Sequence, residues 1–357
     1  MFKRLIESIF KKKHQATYDY FERTKASDNK PEELSAPKVL VDKSINHEPF
    51  FVRAEYHYYD YCFGIDDEAN NDELARRVME DISLLMKTPE KIIESLPQLP
   101  MSVTQILSSL DNDDFQLDSL LDIIHREPVI AARVIKVANT SYYNKSGKDV
   151  LDLKQAFMLL GKQGVLQGVL LGFFQNMVPQ PNAYFQRYGR LIWEHAEHTA
   201  SLARSFFPSK QQKSDASHAY LLGLLCNLGE MVIYQLLIES FAFIAPDATP
   251  SNIAFKKLMS TKSKPLTYHM AKYWKFPKPI IDGLAIQAKL DQMPLSENIV
   301  KSWPIASAVY EANFISRYQQ RIDAKHIRSE QANIELMRLV KSEQAQHLLS
   351  EQLTDKV

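Results

Sequence analysis

From residue 72 onward, apolar residues recur every three or four positions, the spacing that places them on one face of an α-helix. The first such stripe consists of Leu74, Val78, Ile82 and Leu85. No alternation of strands with helices, and no strand-forming stretch, follows Gly64. The pattern therefore predicts an all-α main domain.

Prolines, glycines and capping residues mark the ends of the predicted helices. Pro128 suits the first position of a helix that ends at Asn139, since the first turn leaves its N–H groups unpaired. Ser102 and Gln105 stand where a capping box would open an earlier helix, and Gly161 closes a later one. The remaining predicted helices are Tyr184–Phe207, His218–Ile238, Pro265–Trp274, Pro279–Lys289 and Pro304–Tyr318.

A four-residue glycine repeat, Gly164, Gly168 and Gly172, would let a neighbouring helix approach closely along one ridge. The longest apolar stretch, residues 165–178, contains three polar residues and is too short to span a bilayer. We therefore expect tight packing inside a globular domain and no transmembrane segment.

The first 71 residues follow a different pattern. Met1–His14 forms a short amphipathic stripe with basic flanks, which favours packing on the main domain or a weak peripheral membrane contact rather than a signal peptide. Residues 15–49 are polar and predict a partly disordered linker. Between Phe50 and Gly64, alternating apolar residues predict a short half-buried strand or an extended arm.

The net charge and the cysteine content limit which partners and which cellular compartment we expect. The 43 basic and 43 acidic residues cancel, so we expect no nucleic-acid partner. Cys62 and Cys226 are the only cysteines and lie far apart, which argues against a disulfide scaffold or a zinc knuckle and fits the cytoplasm.

Candidate chemistry begins at His195, which shares an apolar stripe with Leu191 and Leu202 and should therefore point inward. An inward histidine is most often a hydrogen-bonded core residue. His195 and His198 could bind a metal from successive turns, but they lack the i, i+4 spacing of a zincin helix and would need further ligands. A second candidate feature is the pair of residues Cys226 and Asn227, which interrupts the apolar stretch Leu221–Ile233.

Several blocks, among them "LLDIIHREPVIAARVIKVANTSYYN", "DLKQAFMLLGKQGVLQGVLLG", "LIWEHAEHTASLARSFF" and "AYLLGLLCNLGEMVIYQLL", resemble the HDOD domain in order and spacing. This resemblance covers about Ile92 to Tyr318 and implies an HD-domain-like multi-helix bundle, related to the metal-dependent phosphohydrolases of bacterial signalling. We accordingly divide the chain into the N-terminal segment 1–71, a connecting helix 72–91, an HDOD-like domain 92–320 and a helical tail 321–357.

The resemblance implies a degenerate metal site. His195 matches the first histidine ligand of metal-bearing relatives, whereas Cys226 and Asn227 occupy the position of the adjacent His and Asp. Glu230 stands where a lysine often follows the glycine. Asn227 cannot supply an anionic oxygen, and burial would disfavour the Cys226 thiolate.

The remaining positions of the pattern lie further along the chain. His269 matches a later histidine, while Gln287 and Ala288 fall where metal-bearing relatives have a further histidine pair. Glu311 is the only acid near the expected last aspartate. These departures predict no catalytic residue, no metal and no cofactor.

Three functions remain open. The first is a non-enzymatic signalling module that acts through a protein partner. The second is a metal-dependent phosphohydrolase or cyclic-nucleotide phosphodiesterase with an altered ligand set. The third is a small-molecule sensor, in which His195, His269 and Gln287 would hydrogen-bond a ligand in the former metal cleft.

Overall fold

The computed structural model describes residues 2–7, 49–65, 73–99, 103–104, 117–175, 188–244, 252–290 and 292–354. Within these ranges the regular structure is helical, with no strand, so the predicted all-α class is confirmed. Residues 3–7 form a short helical turn. The α-helices that follow are α1 Phe50–Phe63, α2 Glu73–Leu85, α3 Glu90–Ile93, α4 Leu117–His125, α5 Pro128–Ala138, α6 Leu153–Gln175, α7 Tyr188–Ser205, α8 Lys213–Leu225, α9 Leu228–Ile244, α10 Asn252–Tyr273, α11 Lys278–Leu290, α12 Glu297–Ser302, α13 Pro304–Asp323, α14 Ser329–Leu339 and α15 Glu343–Thr354.

The chain divides into two compact units. Unit 1 comprises Met1–Leu96 and Tyr234–Ser260, and unit 2 comprises Pro97–Ile233 and Thr261–Val357. Helices α9 and α10 each contribute residues to both units. The sequence did not predict that residues after position 233 belong with the N-terminal unit, and the expected boundary at residue 71 stays a prediction.

In unit 1, the predicted strand between Phe50 and Gly64 is wrong, because these residues form helix α1. Its buried side chains recur at helical spacing and comprise Phe51, Ala54, Glu55, Tyr58, Tyr59, Cys62 and Phe63. Phe63 lies against Phe255, with ring centroids 5.4 Å apart. Aromatic residues fill so many positions here that the segment satisfies a two-residue period as well as a helical one.

The N-terminal turn also packs within unit 1. Phe2 and Ile6 are 0% and 1% exposed, and the Phe2 backbone N–H donates to Glu239 Oε2 over 2.7 Å. These two apolar side chains are therefore covered by protein within unit 1.

In unit 2, several sequence markers are confirmed. Pro128 begins α5 and Asn139 ends it. Gly161 adopts φ 63°, and the helical axis of α6 bends there by 109°. A Cβ on Gly168 would lie 2.8 Å from Val134 Cα, so the glycine repeat does allow α5 to approach α6 closely. The predicted capping box at residues 102 and 105 lies outside the described residues.

Two predicted helices have different bounds. The helix expected over His218–Ile238 is interrupted at Cys226-Asn227, where α8 ends and α9 begins. Pro265, predicted to open a helix, lies inside α10, because a helix of 22 residues tolerates the loss of one hydrogen bond.

By length and composition, one described stretch, Ser214–Ile244, could cross a membrane, and the two halves of α6 would pass the same test only as a bent pair. Of the most apolar window of Ser214–Ile244, 89% is buried within the protein. The apolar character of Ser214–Ile244 is therefore explained by its burial in the protein core.

Candidate functional site

The polar step Cys226-Asn227 forms the turn between α8 and α9, and both side chains are buried, at 2% and 1% exposure. The turn is fastened to α10. Gly229 N–H donates to Thr267 Oγ1 over 2.8 Å, and this hydroxyl donates to the Ser263 carbonyl over 3.0 Å. A Cβ on Gly229 would overlap the Ser263 carbonyl oxygen, so only glycine permits this approach.

Asn313, on α13, faces this turn. Its Nδ2 donates to Asn227 Oδ1 over 3.0 Å and lies 3.5 Å from Cys226 Sγ. The Cys226 thiol in turn donates to the Gly223 carbonyl over 3.2 Å. Both residues at the His-Asp position of the family pattern are therefore held by neutral hydrogen bonds.

His195 points inward from α7, as the apolar stripe predicts, and its exposure is 0%. Ring atom Nδ1 lies 2.9 Å from Ser316 Oγ and 3.5 Å from Thr199 Oγ1. Burial lowers the pKa of His195 well below its ordinary value, and the positive charge of Arg317 lowers it further, while a hydrogen bond with Asn313 acts in the opposite direction. His195 is therefore a neutral ring at neutral pH.

Ser316 joins His195 to His198, whose Nδ1 lies 3.1 Å from the same hydroxyl. The hydroxyl carries one proton and donates to at most one ring, so at least one of the two rings must carry a proton on Nδ1. Burial also lowers the pKa of His198, and Asp323 partly offsets this effect. The predicted histidine pair is thus bridged by a serine rather than by acidic side chains.

The charged centre of the cluster is an ion pair between Arg317, on α13, and Glu230, on α9. Arg317 Nη2 lies 2.6 Å from Glu230 Oε1, and each side chain is 1% exposed. The Tyr188 hydroxyl donates to Glu230 Oε2 over 3.3 Å. The carboxylate that sequence comparison placed in the cleft is therefore neutralised by an arginine of the same chain.

Cys226 has the environment of a structural thiol. Burial raises its pKa to about 12, and the Glu230 carboxylate adds to this, while Asn313, Lys264 and Arg317 act in the opposite direction. The group stays protonated at neutral pH, as the sequence predicts for a buried cysteine, and a thiol is a poor nucleophile and metal ligand.

The predicted site residues Gln287 and Ala288 lie on α11, and His269 lies on α10. Gln287 is buried and donates from Nε2 to the Ala306 carbonyl over 2.6 Å. Ala288 is half-buried, as is His269, whose ring packs edge-on against Tyr268 with centroids 5.5 Å apart.

Glu311 accepts hydrogen bonds from the short segment that connects α14 to α15. Its Oε1 accepts the Lys341 N–H over 2.5 Å and the Ser342 N–H over 2.8 Å, and the Ser342 hydroxyl donates to Oε2. Burial raises the pKa of the Glu311 carboxyl, and these hydrogen bonds oppose the rise. Glu311 therefore holds a chain connection, and Asn313 is the α13 residue that reaches Asn227.

Asn313, Ser316 and Arg317 were missed from the sequence. The available signal was a set of polar residues in α13, a helix that is buried from Ala306 to Tyr318. Polar side chains inside such a helix need partners, and they mark the side that faces other polar groups.

The donor set does not fit a metal ion. No group of three His, Cys, Asp or Glu side chains among the described residues is arranged to bind one. The cluster offers neutral imidazole, a protonated thiol, amides and a single carboxylate that Arg317 already pairs. A cation would be repelled by the guanidinium and would lack anionic oxygen.

Comparison with known proteins gives a consistent picture of the fold. The HDOD domain profile matches residues 96–290. An uncharacterized protein of Treponema pallidum (strain Nichols) is 24% identical over 230 residues, which cover 63% of this chain and 43% of that protein. The chain thus spans less than half of the length of this curated relative.

Two solved structures cover most of the chain. An HDOD domain protein of unknown function from Geobacter sulfurreducens shares 16% identity and a TM-score of 0.51 over 77% of this chain and 95% of its own. A Shewanella amazonensis SB2B protein, provisionally assigned as a metal-dependent phosphohydrolase, shares 17% identity and a TM-score of 0.52 over 73% of this chain and 88% of its own. At these identities the likeness concerns the fold.

Proposed function

Since the chain belongs to the HDOD family, we propose that it is a non-enzymatic regulatory module that acts through protein contacts in bacterial signal transduction. The observation that carries this proposal is the buried ion pair between Arg317 and Glu230. The pair supports the proposal because the acid at this expected ligand position, Glu230, is already engaged by a guanidinium of the same chain.

Hydrolysis of a phosphate ester on this scaffold requires a group that generates hydroxide and neutralises phosphoryl charge. The cluster contains no substitute for that group. His195 is neutral and fully buried, and Cys226 is protonated. Arg317 carries a suitable charge, but Glu230 neutralises it and both side chains are closed to solvent. We therefore propose that the helical domain binds a partner protein and catalyses no reaction.

The proposed compartment is the cytoplasm, and the proposed partner is a protein rather than a nucleic acid, since basic and acidic residues balance at 43 each. A balanced charge gives the whole chain no global positive field of the kind that attracts phosphate in non-specific nucleic-acid binding.

The proposal can be tested with a core variant that abolishes the charges of the cluster while filling the same space. Arg317→Met with Glu230→Leu replaces the pair by apolar groups, a change that proteins often tolerate. Complementing a deletion strain with this double variant should restore the phenotype, because a recognition surface does not use the buried charges.

Two controls make this complementation informative. Wild-type complementation fixes the upper limit, and thermal melting of the purified double variant verifies that it folds. A folded double variant that fails to restore the phenotype would favour chemistry at the cluster, either hydrolysis or recognition of a small molecule by its polar groups.

A further inference from the structure

A strip of exposed apolar side chains lies at the start of α6, away from the buried cluster. Leu151 and Met158 are 78% and 79% exposed, and Leu159 is 39% exposed. Met158 and Leu159 are adjacent residues of the first half of α6, Lys154 lies one helical turn before Met158 on the same side of the helix, and Leu151 directly precedes the cap residue Asp152. The opposite side, which includes Leu153 and Ala156, is buried.

The first half of α6 has a capped start and ends at a bend. Asp152 Oδ1 accepts the Gln155 N–H over 2.8 Å and so caps the helix, and the bend at Gly161 ends its first half. Leu151 precedes the cap, where an apolar side chain often packs against the following turn. Its exposure of 78% leaves it available to another molecule.

The chain segment that carries this strip has an excess of positive charge. Lysines outnumber acids four to two between residues 145 and 162, although the whole chain has 43 of each sign. Lys145, Lys148 and Lys154 are exposed, and none forms an ion pair with an acid among the described residues. One of the two acids, Asp152, is already engaged in capping the helix. An incoming partner therefore meets exposed apolar side chains in a segment that has two more lysines than acids.

We propose that the strip formed by Leu151, Met158 and Leu159, with Lys148 and Lys154 at its border, binds an acidic amphipathic helix of a protein partner. The inference rests on the proposed function and assigns a surface to it. The apolar side of such a helix covers the strip, where methionine adapts its shape to the partner, and acidic residues on the flanks of the helix face the lysines.

The lysines beside the strip also favour an acidic partner over a second copy of this chain. A second copy of the chain using the same strip would bring lysines against lysines, which disfavours a symmetric dimer. A partner with acidic flanks gains attraction at the same positions.

The test places a photo-crosslinking amino acid at Met158 in the native host, with Ile334 as the matched control. Ile334 is 69% exposed on α14 and lies outside the strip. The expected result is a crosslink from position 158 to a partner peptide that is acidic and has helical apolar periodicity. Crosslinking to a basic peptide, to another copy of this chain, to lipid, or no more strongly than from position 334 would overturn the proposal.

The affinity of the identified peptide, synthesised alone, is then measured against surface variants. Leu151→Ser with Met158→Ser should weaken binding by about tenfold or more, since a few buried apolar anchors dominate such interfaces. Lys148→Glu with Lys154→Glu should weaken it chiefly at low salt. Equal binding by all variants would contradict the assignment, and unchanged melting temperatures would verify that these exposed substitutions leave the fold intact.

The crosslinking and complementation experiments distinguish an error in the proposed surface from an error in the proposed function. A protein partner captured only from position 334 refutes this strip and leaves a contact-based function standing. A core double variant that folds but does not complement refutes the function, whatever is crosslinked.

Discussion

Glu230 and Glu311 are both buried in unit 2, and both occupy positions where the family pattern suggested a metal cleft, yet the protein stabilises them by different means. Glu230 faces an arginine at 2.6 Å. Glu311 receives two backbone N–H groups and a serine hydroxyl. The comparison shows that burial and an acidic side chain do not define a site, because the groups that surround the carboxylate decide its role.

The largest effect is expected from Arg317→Met, which removes the guanidinium that lies 2.6 Å from the buried Glu230 carboxylate. The free energy of unfolding should fall by about 3–5 kcal/mol, as measured by urea denaturation. Adding Glu230→Leu should restore most of this loss, because the buried carboxylate is removed as well. If the double variant were as unstable as the single one, the ion pair would not be the reason for the instability.

A smaller loss is expected from Glu311→Ala. The Lys341 and Ser342 N–H groups lose a buried acceptor, which should lower the free energy of unfolding by about 1–3 kcal/mol. Ser342→Ala, which removes only the hydroxyl, should cost less. A loss for Glu311→Ala that matched or exceeded that of Arg317→Met would contradict the difference drawn between the two glutamates.

The pH dependence of stability separates His195 from Glu311. Burial lowers the pKa of His195 in the folded protein below the value of 6.5 that applies in the unfolded chain. The neutral ring therefore stabilises the fold fully above pH 6.5, and the free energy of unfolding falls below that pH by up to about 1.4 kcal/mol per pH unit. The pKa of Glu311 is raised from 4.5, so its contribution has the opposite sign and is lost as pH rises above that value.

Urea denaturation at a series of pH values checks both slopes. His195→Gln should flatten the loss of stability on the acid side of pH 6.5, while Glu311→Gln should remove the opposing slope that begins near pH 4.5. Wild-type slopes that persist unchanged in both variants would show that other groups cause them.

The smallest effect is expected from Cys226→Ala. The thiol fills space and donates a weak hydrogen bond to the Gly223 carbonyl, so its loss should cost about 1 kcal/mol and leave the cellular phenotype unchanged. Melting and complementation are measured on the same variant. A variant that melts normally but fails to complement would indicate that the thiol itself acts.

Helical periodicity was enough to predict the class and most helices, because apolar residues recur every three or four positions in many segments of unit 2. The same reasoning failed at Phe50–Phe63, where aromatic residues at most positions fit two periods, and at Cys226-Asn227, where the helices on either side of the turn continue the apolar run. Local pattern cannot show a turn whose polar groups are satisfied by a distant helix.

The candidate site was predicted in part. His195, Cys226, Asn227 and Glu230 are close to one another through Asn313 and Arg317. Arg317 could not be identified as a partner, since 87 residues separate it from Glu230 and only the fold joins them. Glu311 was selected for its charge, although the neutral side chain two residues later is the one that faces the turn.

The most direct test of the central claim is elemental analysis of the unmodified protein, purified without chelator, together with hydrolysis assays supplied with manganese, iron or magnesium. The account predicts no stoichiometric transition metal, a melting temperature that EDTA leaves unchanged, and no hydrolysis of phosphate esters or cyclic dinucleotides. About one metal ion per chain, with hydrolysis that is lost on chelation, would contradict the account and establish a phosphohydrolase with an altered ligand set.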